Sequence, residues 1–261
     1  MSLSLPEQRA EQLLREYGIS KIAELNLEEL ANAEYLIVEE EDLPNHLGRI
    51  SFTDGYGLIK IDSKIKDTGQ KRFTLAHEMG HYFNEREIRT KKFYKCTAAD
   101  MWSFKSQMTY ENEANEFASE ILMHKPWFSE FIKKRQINFD LIKEIANEFS
   151  VSLTAAAIRY SIIGKYPVAV IFTKDGKKAW SSISDYFPFK WIPPGYLVRK
   201  DSAAYDFYAG NEMQTCDDLV TAETWFAEDN RCRKDVYLYE QNVAMPNYNA
   251  VLTLLWESEF K

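Results

Sequence analysis

The sequence predicts an α+β protein in which a small antiparallel sheet and a chemistry-bearing helix come first and a separate strand-rich region follows. Three observations carry that prediction. The runs Arg49-Ile-Ser-Phe-Thr53 and Gly57-Leu-Ile-Lys-Ile61 alternate apolar and polar residues around Asp54-Gly55, the pattern of a β-hairpin. The segment from about Gln70 to Asn84 has apolar residues at helical spacing and contains His77-Glu78-Met-Gly-His81. A composition shift falls at Gly164-Lys-Tyr-Pro167, and strand-type runs return after it.

The elements follow in order. Leu13, Leu14 and Tyr17 recur at helical spacing and Gly18 closes that first helix; a second short helix runs from about Leu27 to Ala33. Tyr35-Leu-Ile-Val-Glu39 reads as a strand ahead of the hairpin. After the helix at 70–84, another spans about Tyr110 to His124, and Pro126 fits only the first turn of a helix that follows. Phe139 to Tyr160 reads as two helices joined at Phe149-Ser-Val-Ser152. Beyond the shift, Val168-Ala-Val-Ile-Phe172, the turn Asp175-Gly176, Val236-Tyr-Leu-Tyr-Glu240 and Ala250-Val-Leu-Thr-Leu-Leu-Trp256 outline a second α+β domain. The predicted division is 1–125, 126–163 and 164–261.

Bulk properties exclude several classes. The chain has 261 residues, 45% hydrophobic and 28% charged, which suits a soluble globular protein. No run approaches the roughly 20 apolar residues that span a bilayer, and the first residues lack a signal-peptide core, so a cytoplasmic location without membrane contact is expected. Cys96, Cys216 and Cys232 are too scattered for a disulfide framework and form no CxxC pair. A net charge of -8 repels nucleic acid on average; the basic clusters Lys91, Lys92, Lys95 and Lys174, Lys177, Lys178 read as solvated surface.

The chemistry concentrates at His77-Glu78-Met-Gly-His81. Residues four apart on a helix share one face, a turn of ~5.4 Å apart. His77 and His81 can therefore direct one nitrogen each to a single zinc ion, with Glu78 beside them as general base toward a metal-activated water. Leu75, Ala76, Met79 and Phe83 make the helix largely apolar, so these imidazoles are expected to be buried and in need of a partner. A catalytic zinc site takes a third protein ligand. The helix Tyr110-Glu-Asn-Glu-Ala-Asn-Glu-Phe-Ala-Ser-Glu-Ile-Leu-Met123 has an inward face of Ala114, Phe117, Ala118, Ile121 and Leu122. Glu111 borders that face and is preferred over Glu113 as the ligand; Glu113, Glu116 and Glu120 are assigned to the solvated side. Asn115, four after Glu111, is placed to hydrogen-bond a ligand histidine.

Taken together, Arg72-Phe-Thr-Leu-Ala-His-Glu-Met-Gly-His-Tyr, Glu111-Asn-Glu-Ala-Asn-Glu-Phe-Ala-Ser-Glu-Ile-Leu-Met and the Val151-Ser-x-x-Ala-x-x-x-Arg159 run resemble the ImmA/IrrE family of metallopeptidases over residues 48 to 163. The resemblance implies a zincin-like core, a helix-turn-helix-like subdomain and a regulatory C-terminal domain, GAF-like in some members. It also implies Glu111 as third ligand, hence a gluzincin-like zinc endopeptidase. Family members cleave helix-turn-helix repressors and so switch on stress, mobile-element or antiphage genes. Cys96-Thr-Ala-Ala-Asp-Met and the long C-terminal region are similar to the CapP-type branch tied to antiphage systems, which implies a small ligand or single-stranded DNA as signal at the C-terminal domain. His124 departs from the proline usual after Leu-Met and reads as a helix-end surface residue.

Four further expectations remain. The second helix of Ile145-Ala-Asn-Glu-Phe-Ser-Val-Ser-Leu-Thr-Ala-Ala-Ala-Ile-Arg159 lacks the polar and basic residues of a DNA reader, so the module serves packing, with Arg159 pinning it to the core. The strand Gly57 to Ile61 is considered as a sheet edge for a substrate peptide, against an ordinary interior strand. A tyrosine or an arginine near the site is expected to stabilise a developing oxyanion, with Tyr56 and Tyr160 the tyrosines considered. Cys96 lies in the connection between the two ligand-bearing helices, with Lys92 and Lys95 favouring its thiolate. It is expected as an inhibitory fourth zinc ligand that keeps the protease latent, while Cys216 and Cys232 pack. Two other functions compete: a zinc-binding sensor without catalysis, which an intact Glu78 argues against, and a DNA-binding regulator.

Overall fold

The structure is a computed structural model and describes residues 3–53, 55–85, 93–96, 109–213, 218–233 and 235–257. Asp54, Lys91, Lys92 and Cys216 lie outside the described residues. The chain divides into two compact units, Met1–Phe131 with Ile145–Ser152, and Ile132–Glu144 with Leu153–Lys261.

In the first unit, helix α1 (Leu5–Glu16) starts at a reciprocal cap: the Glu7 backbone N–H donates to Ser4 Oγ and the Ser4 N–H donates to Glu7 Oε2. Its end at Tyr17 is followed by Gly18, whose φ of 66° suits glycine. Asn26 caps α2 (Leu27–Ala33) through Oδ1, which accepts from the Glu29 N–H. Strands β1 (Leu36–Glu41), β2 (Gly48–Thr53), β3 (Tyr56–Asp62) and β4 (Phe93–Cys96) form one sheet in the order β1-β3-β2-β4. The hairpin β2–β3 is antiparallel, with Ile50 opposite Ile59.

One expectation needs correction here, and one open alternative is decided. The sheet is mixed, because β1 pairs with β3 in parallel. And β3 is interior, so it offers no edge to a peptide; the edges are β1 and β4. The reason is shared: alternation in a strand specifies which face is buried, not which strand lies beside it.

One face of the sheet buries Leu36, Ile50, Ile59 and Ile61. Helix α3 (Thr68–Glu85) packs against β2 and β3, burying Phe73, Leu75, Ala76 and Met79. Helix α4 (Thr109–Leu122) packs against both α3 and α1, and α5 (Lys125–Phe131) follows it. That two-sided cover corrects the assignment of Glu120 to solvent. Glu120 is fully buried, and its Oε1 accepts the Lys125 backbone N–H at 3.0 Å, satisfying the start of α5. Glu113 is half-buried and Glu116 exposed. His124 is half-buried against the Trp127 ring, 4.8 Å between centroids, rather than on the surface.

Helices α6 (Phe139–Glu148) and α7 (Leu153–Ile163) meet at the expected joint. Every residue of α7 from Ala155 to Ser161 is buried, while Leu153, Thr154 and Ile163 are half-buried and Ile162 is exposed, so the helix offers no basic side chain to a DNA groove. In the second unit α7 lies on β5 (Val168–Lys174) and β6 (Lys177–Ile183), with Ser161 Oγ 2.7 Å from Ser182 Oγ.

The second unit continues with α8 (Ala203–Ala209), β7 (Asp218–Thr221), α9 (Glu223–Phe226), β8 (Tyr237–Met245) and β9 (Ala250–Glu257). Its five-stranded sheet runs β6-β5-β9-β8-β7, antiparallel throughout. β5 and β9 are central and buried along nearly their whole length, which explains their unbroken apolar runs. One face packs Ala169, Ile171, Val251 and Leu255 against Phe187, Trp225 and Phe226. Within it the buried Glu240 carboxylate accepts from Ser202 Oγ, the Ala203 N–H, Asn242 Nδ2 and Trp225 Nε1, tying α8 and α9 to β8. Lys178 is committed as well: its Nζ donates to the Ile192 carbonyl at 2.6 Å, which leaves Lys174 and Lys177 of that basic cluster exposed.

Candidate metal centre

Two helices build the site. On α3, His77 and His81 stand one turn apart, both essentially without solvent exposure. On α4, Glu111 and Asn115 stand one turn apart, also buried. The helices approach closely because residue 80 is glycine. A Cβ built there would lie 2.9 Å from both Cα and the carbonyl oxygen of Ala114, closer than packed atoms come. Gly80 and Ala114 thus let backbone meet backbone at the level of the site.

The donor atoms converge. His77 Nε2 is 3.1 Å from Glu111 Oε2 and 3.1 Å from His81 Nε2, and His81 Nε2 is 3.6 Å from Glu111 Oε1. Ligands at about 2.0–2.1 Å in a tetrahedral zinc shell are separated by about 3.3 Å, so the three observed spacings match the edges of such a shell. The donor set points the same way: neutral imidazole nitrogens and a carboxylate oxygen all offer lone pairs, and a cation between them relieves that juxtaposition. Among the described residues, these three form the cluster able to hold a metal ion.

Asn115 settles the orientation of His77. Its Oδ1 lies 2.9 Å from His77 Nδ1. A carbonyl oxygen accepts only, so Nδ1 carries the proton and Nε2 presents its lone pair toward His81 and Glu111.

The electrostatics agree. Burial disfavours a charged His77, but the hydrogen bond to Glu111 and the negative charges of Glu78 and Glu111 outweigh it, so its pKa is raised. Burial likewise opposes a charge on Glu111, yet His77 and His81 prevail and hold its carboxyl down at about 2. Without metal the site is therefore a carboxylate facing a proton-binding His77, and a dication can take the proton's place.

Glu78 is fully buried on α3. Strand β2 passes against it at Gly48, where a built Cβ would lie 2.6 Å from Glu78 Oε1 and 2.7 Å from Thr74 Cγ2. In the sheet, Gly48 pairs across the ladder with Cys96 of β4. The structure thus brings His77, Glu78, His81, Glu111 and Asn115 into one site. His124 stands outside the metal cluster.

Of the tyrosines named from sequence, Tyr56 is exposed at the start of β3 and Tyr160 is buried in α7 of the other unit. Burial pushes the Tyr160 hydroxyl pKa up. Among the described residues, Tyr110 lies beside the site, its ring centroid 6.0 Å from that of His81. Its place directly before Glu111 was the available signal. Gly48 and Gly80 were also missed, since neither carries chemistry of its own.

Residues 33–161, which contain every one of these site residues, match the family model of the IrrE N-terminal-like domain (Peptidase_M78). Metallopeptidase ImmA of Bacillus subtilis (strain 168) is 27% identical over 144 residues, spanning 54% of this chain and 78% of that protein. A solved structure, a Mycobacterium tuberculosis transcriptional regulator, aligns with a TM-score of 0.62 at 15% identity, covering 97% of this chain and 76% of that one. That last likeness is one of fold.

Proposed function

Because this chain belongs to the ImmA/IrrE family of metallopeptidases, we propose that it is a zinc-dependent endopeptidase whose substrate is a helix-turn-helix repressor protein. The observation that carries the reading is the convergence of His77, His81 and Glu111 at zinc-like spacings, with the buried Glu78 on the same helix. His77, His81 and Glu111 would hold the ion. When bound, zinc supplies Lewis acidity, acidifying a water and polarising a peptide carbonyl. Glu78 takes the proton from the attacking water and returns it to the leaving amine. Asn115 keeps the His77 ring and tautomer in place, and the closure of the site around apolar side chains strengthens every charge interaction within it.

Two regulatory features belong to the same reading. Cys96 is the inhibitory fourth ligand of the latent state; in support, its strand position lies opposite Gly48, the residue that abuts Glu78. Residues 164–261 form a sensor domain, GAF-like, that receives a small ligand or single-stranded DNA and relieves the latency. All the proposed ligands and the base precede that domain. Release of the repressor from its operators then switches on stress or antiphage genes in the cytoplasm. Among the described residues no helix is long and apolar enough to cross a membrane.

The experiment is cleavage of a purified helix-turn-helix repressor, with any such repressor encoded next to this gene as the first candidate. Cys96→Ser should cut it without any signal, and the wild-type chain only once the signal is supplied. Glu78→Gln should retain zinc and lose ~10²–10⁴-fold in rate. Undiminished cleavage by Glu78→Gln would reject the mechanism.

A further inference from the structure

We infer that Gly48 is a positioning residue for Glu78: the missing side chain on β2 is the space in which the Glu78 carboxylate is seated. The inference rests on the reading of Glu78 as the base, and adds what holds that base in place. Gly48 is the first residue of β2, paired to Ile61 on β3 and to Cys96 on β4, so its backbone is fixed from both sides. Its φ lies outside the left-handed region, unlike Gly18, Gly55, Gly176, Gly195 and Gly210, so backbone conformation does not demand glycine there. Contact does. A Cβ at this position would meet Glu78 Oε1 at 2.6 Å, Glu78 Cγ at 3.1 Å and Thr74 Cγ2 at 2.7 Å.

Thr74 and Glu78 are one helical turn apart on α3 and both fully buried, so they have no solvent to retreat into. Thr74 Oγ1 donates to the Gln70 carbonyl, which fixes the rotamer that aims Cγ2 at the strand. A methyl group on residue 48 must therefore move the carboxylate, the helix or the strand. Moving the carboxylate is the smallest of these displacements, because it needs only a torsion change in one side chain. The strand thus acts as a wall against which the base is set, and a site with identical ligands but a side chain at 48 holds its metal while its base is misplaced.

The test separates this wall from the ligands and uses no protein substrate. Acetohydroxamate chelates zinc and places its N–O–H against the catalytic carboxylate, so its affinity reports where that carboxylate is. Every protein measured carries Cys96→Ser, which opens the proposed fourth position, and this parent is the wild type of the comparison. The measurements are zinc content, melting temperature and acetohydroxamate Kd for the zinc-loaded parent, Glu78→Gln, Gly48→Ala, Thr74→Ser, and the pairs Gly48→Ala/Thr74→Ser and Gly48→Ala/Glu78→Gln. Thr74→Ser removes the methyl at 2.7 Å and keeps the hydroxyl, so the Gly48→Ala/Thr74→Ser pair retains only the clash with Glu78 and folds even where Gly48→Ala alone does not.

We expect full zinc content throughout and wild-type affinity in Thr74→Ser. Glu78→Gln and Gly48→Ala/Thr74→Ser should each weaken acetohydroxamate at least about tenfold, the usual loss for a hydrogen bond to a charged group. Gly48→Ala should add nothing to Glu78→Gln, because both act on one group. Wild-type affinity in Gly48→Ala/Thr74→Ser, with Glu78→Gln weakened, overturns the role of Gly48 alone. A further loss on adding Gly48→Ala to Glu78→Gln also overturns it, showing a general structural effect. Wild-type affinity in Glu78→Gln overturns the reading of the base, and the inference with it.

Discussion

Replacing Asn115 with alanine isolates the orientation of a ligand from the ligand itself. The change removes the Oδ1 that accepts from His77 Nδ1 at 2.9 Å, in a site where Asn115 and His77 are both fully buried. No water replaces the lost acceptor without entering that interior, so the His77 ring loses the contact that selects its tautomer. Removing such a partner of a metal-bound histidine weakens metal binding about 10–100-fold, which is about 1.4–2.7 kcal/mol. Competition for zinc against a chromophoric chelator measures the ratio of Kd values directly. Asn115→Asp supplies the comparison: its carboxylate accepts the same proton and should keep affinity near wild type. Zinc binding by Asn115→Ala as tight as wild type would refute the orienting role. So would an Asn115→Asp variant as weak as Asn115→Ala, since the loss would then follow from disturbed packing.

Other outcomes follow from the same structure. Gly80→Ala forces a methyl to 2.9 Å from the Ala114 backbone and so pushes α3 from α4; overpacking of this kind costs about 1–3 kcal/mol. It should lower both the melting temperature and zinc occupancy, and a variant unchanged in both would show that the helix contact is slack. In the second unit, Asp229 is buried and receives the Lys190, Trp191 and Arg231 backbone N–H groups and the Arg231 guanidinium. Burial opposes its charge, but those donors outweigh it and hold its carboxyl well below the usual carboxylate pKa. A depressed folded pKa means stabilisation that is present above the unfolded value of about 3.9 and is lost as pH falls below it. Asp229→Asn should thus destabilise by about 1.5–3 kcal/mol at pH 7, and the gap from wild type in denaturant titrations should begin to narrow below about pH 4 and keep narrowing toward the depressed folded pKa. A gap that stays constant from pH 7 to pH 3 would contradict the assignment.

Much of the site was legible because its chemistry is helical and local. The spacing of His77 and His81, and of Glu111 and Asn115, states which side chains share a face before any tertiary contact is known. The two central strands of the second unit were legible for a related reason, since burial on both faces leaves unbroken apolar runs. What escaped depends on packing between distant segments. Nothing near residue 48 signals that its backbone meets Glu78, thirty positions on; only the approach of β2 to α3 shows it. Glu120 looked solvated because one apolar stripe was counted along α4, whereas α1 and α3 cover that helix from two sides. The parallel pairing of β1 with β3 was hidden because strand order is decided by connections, not by alternation. Tyr110 was passed over among fifteen tyrosines because proximity to His81 arises only when the two helices meet.

The most direct test of the metal centre is anomalous scattering at the zinc absorption edge from crystals of the zinc-supplied protein. One peak per chain is expected, about 2.0–2.2 Å from Nε2 of His77, Nε2 of His81 and a carboxylate oxygen of Glu111, and no peak there in Glu111→Ala. A peak held by other residues, or none at these three, would contradict that expectation.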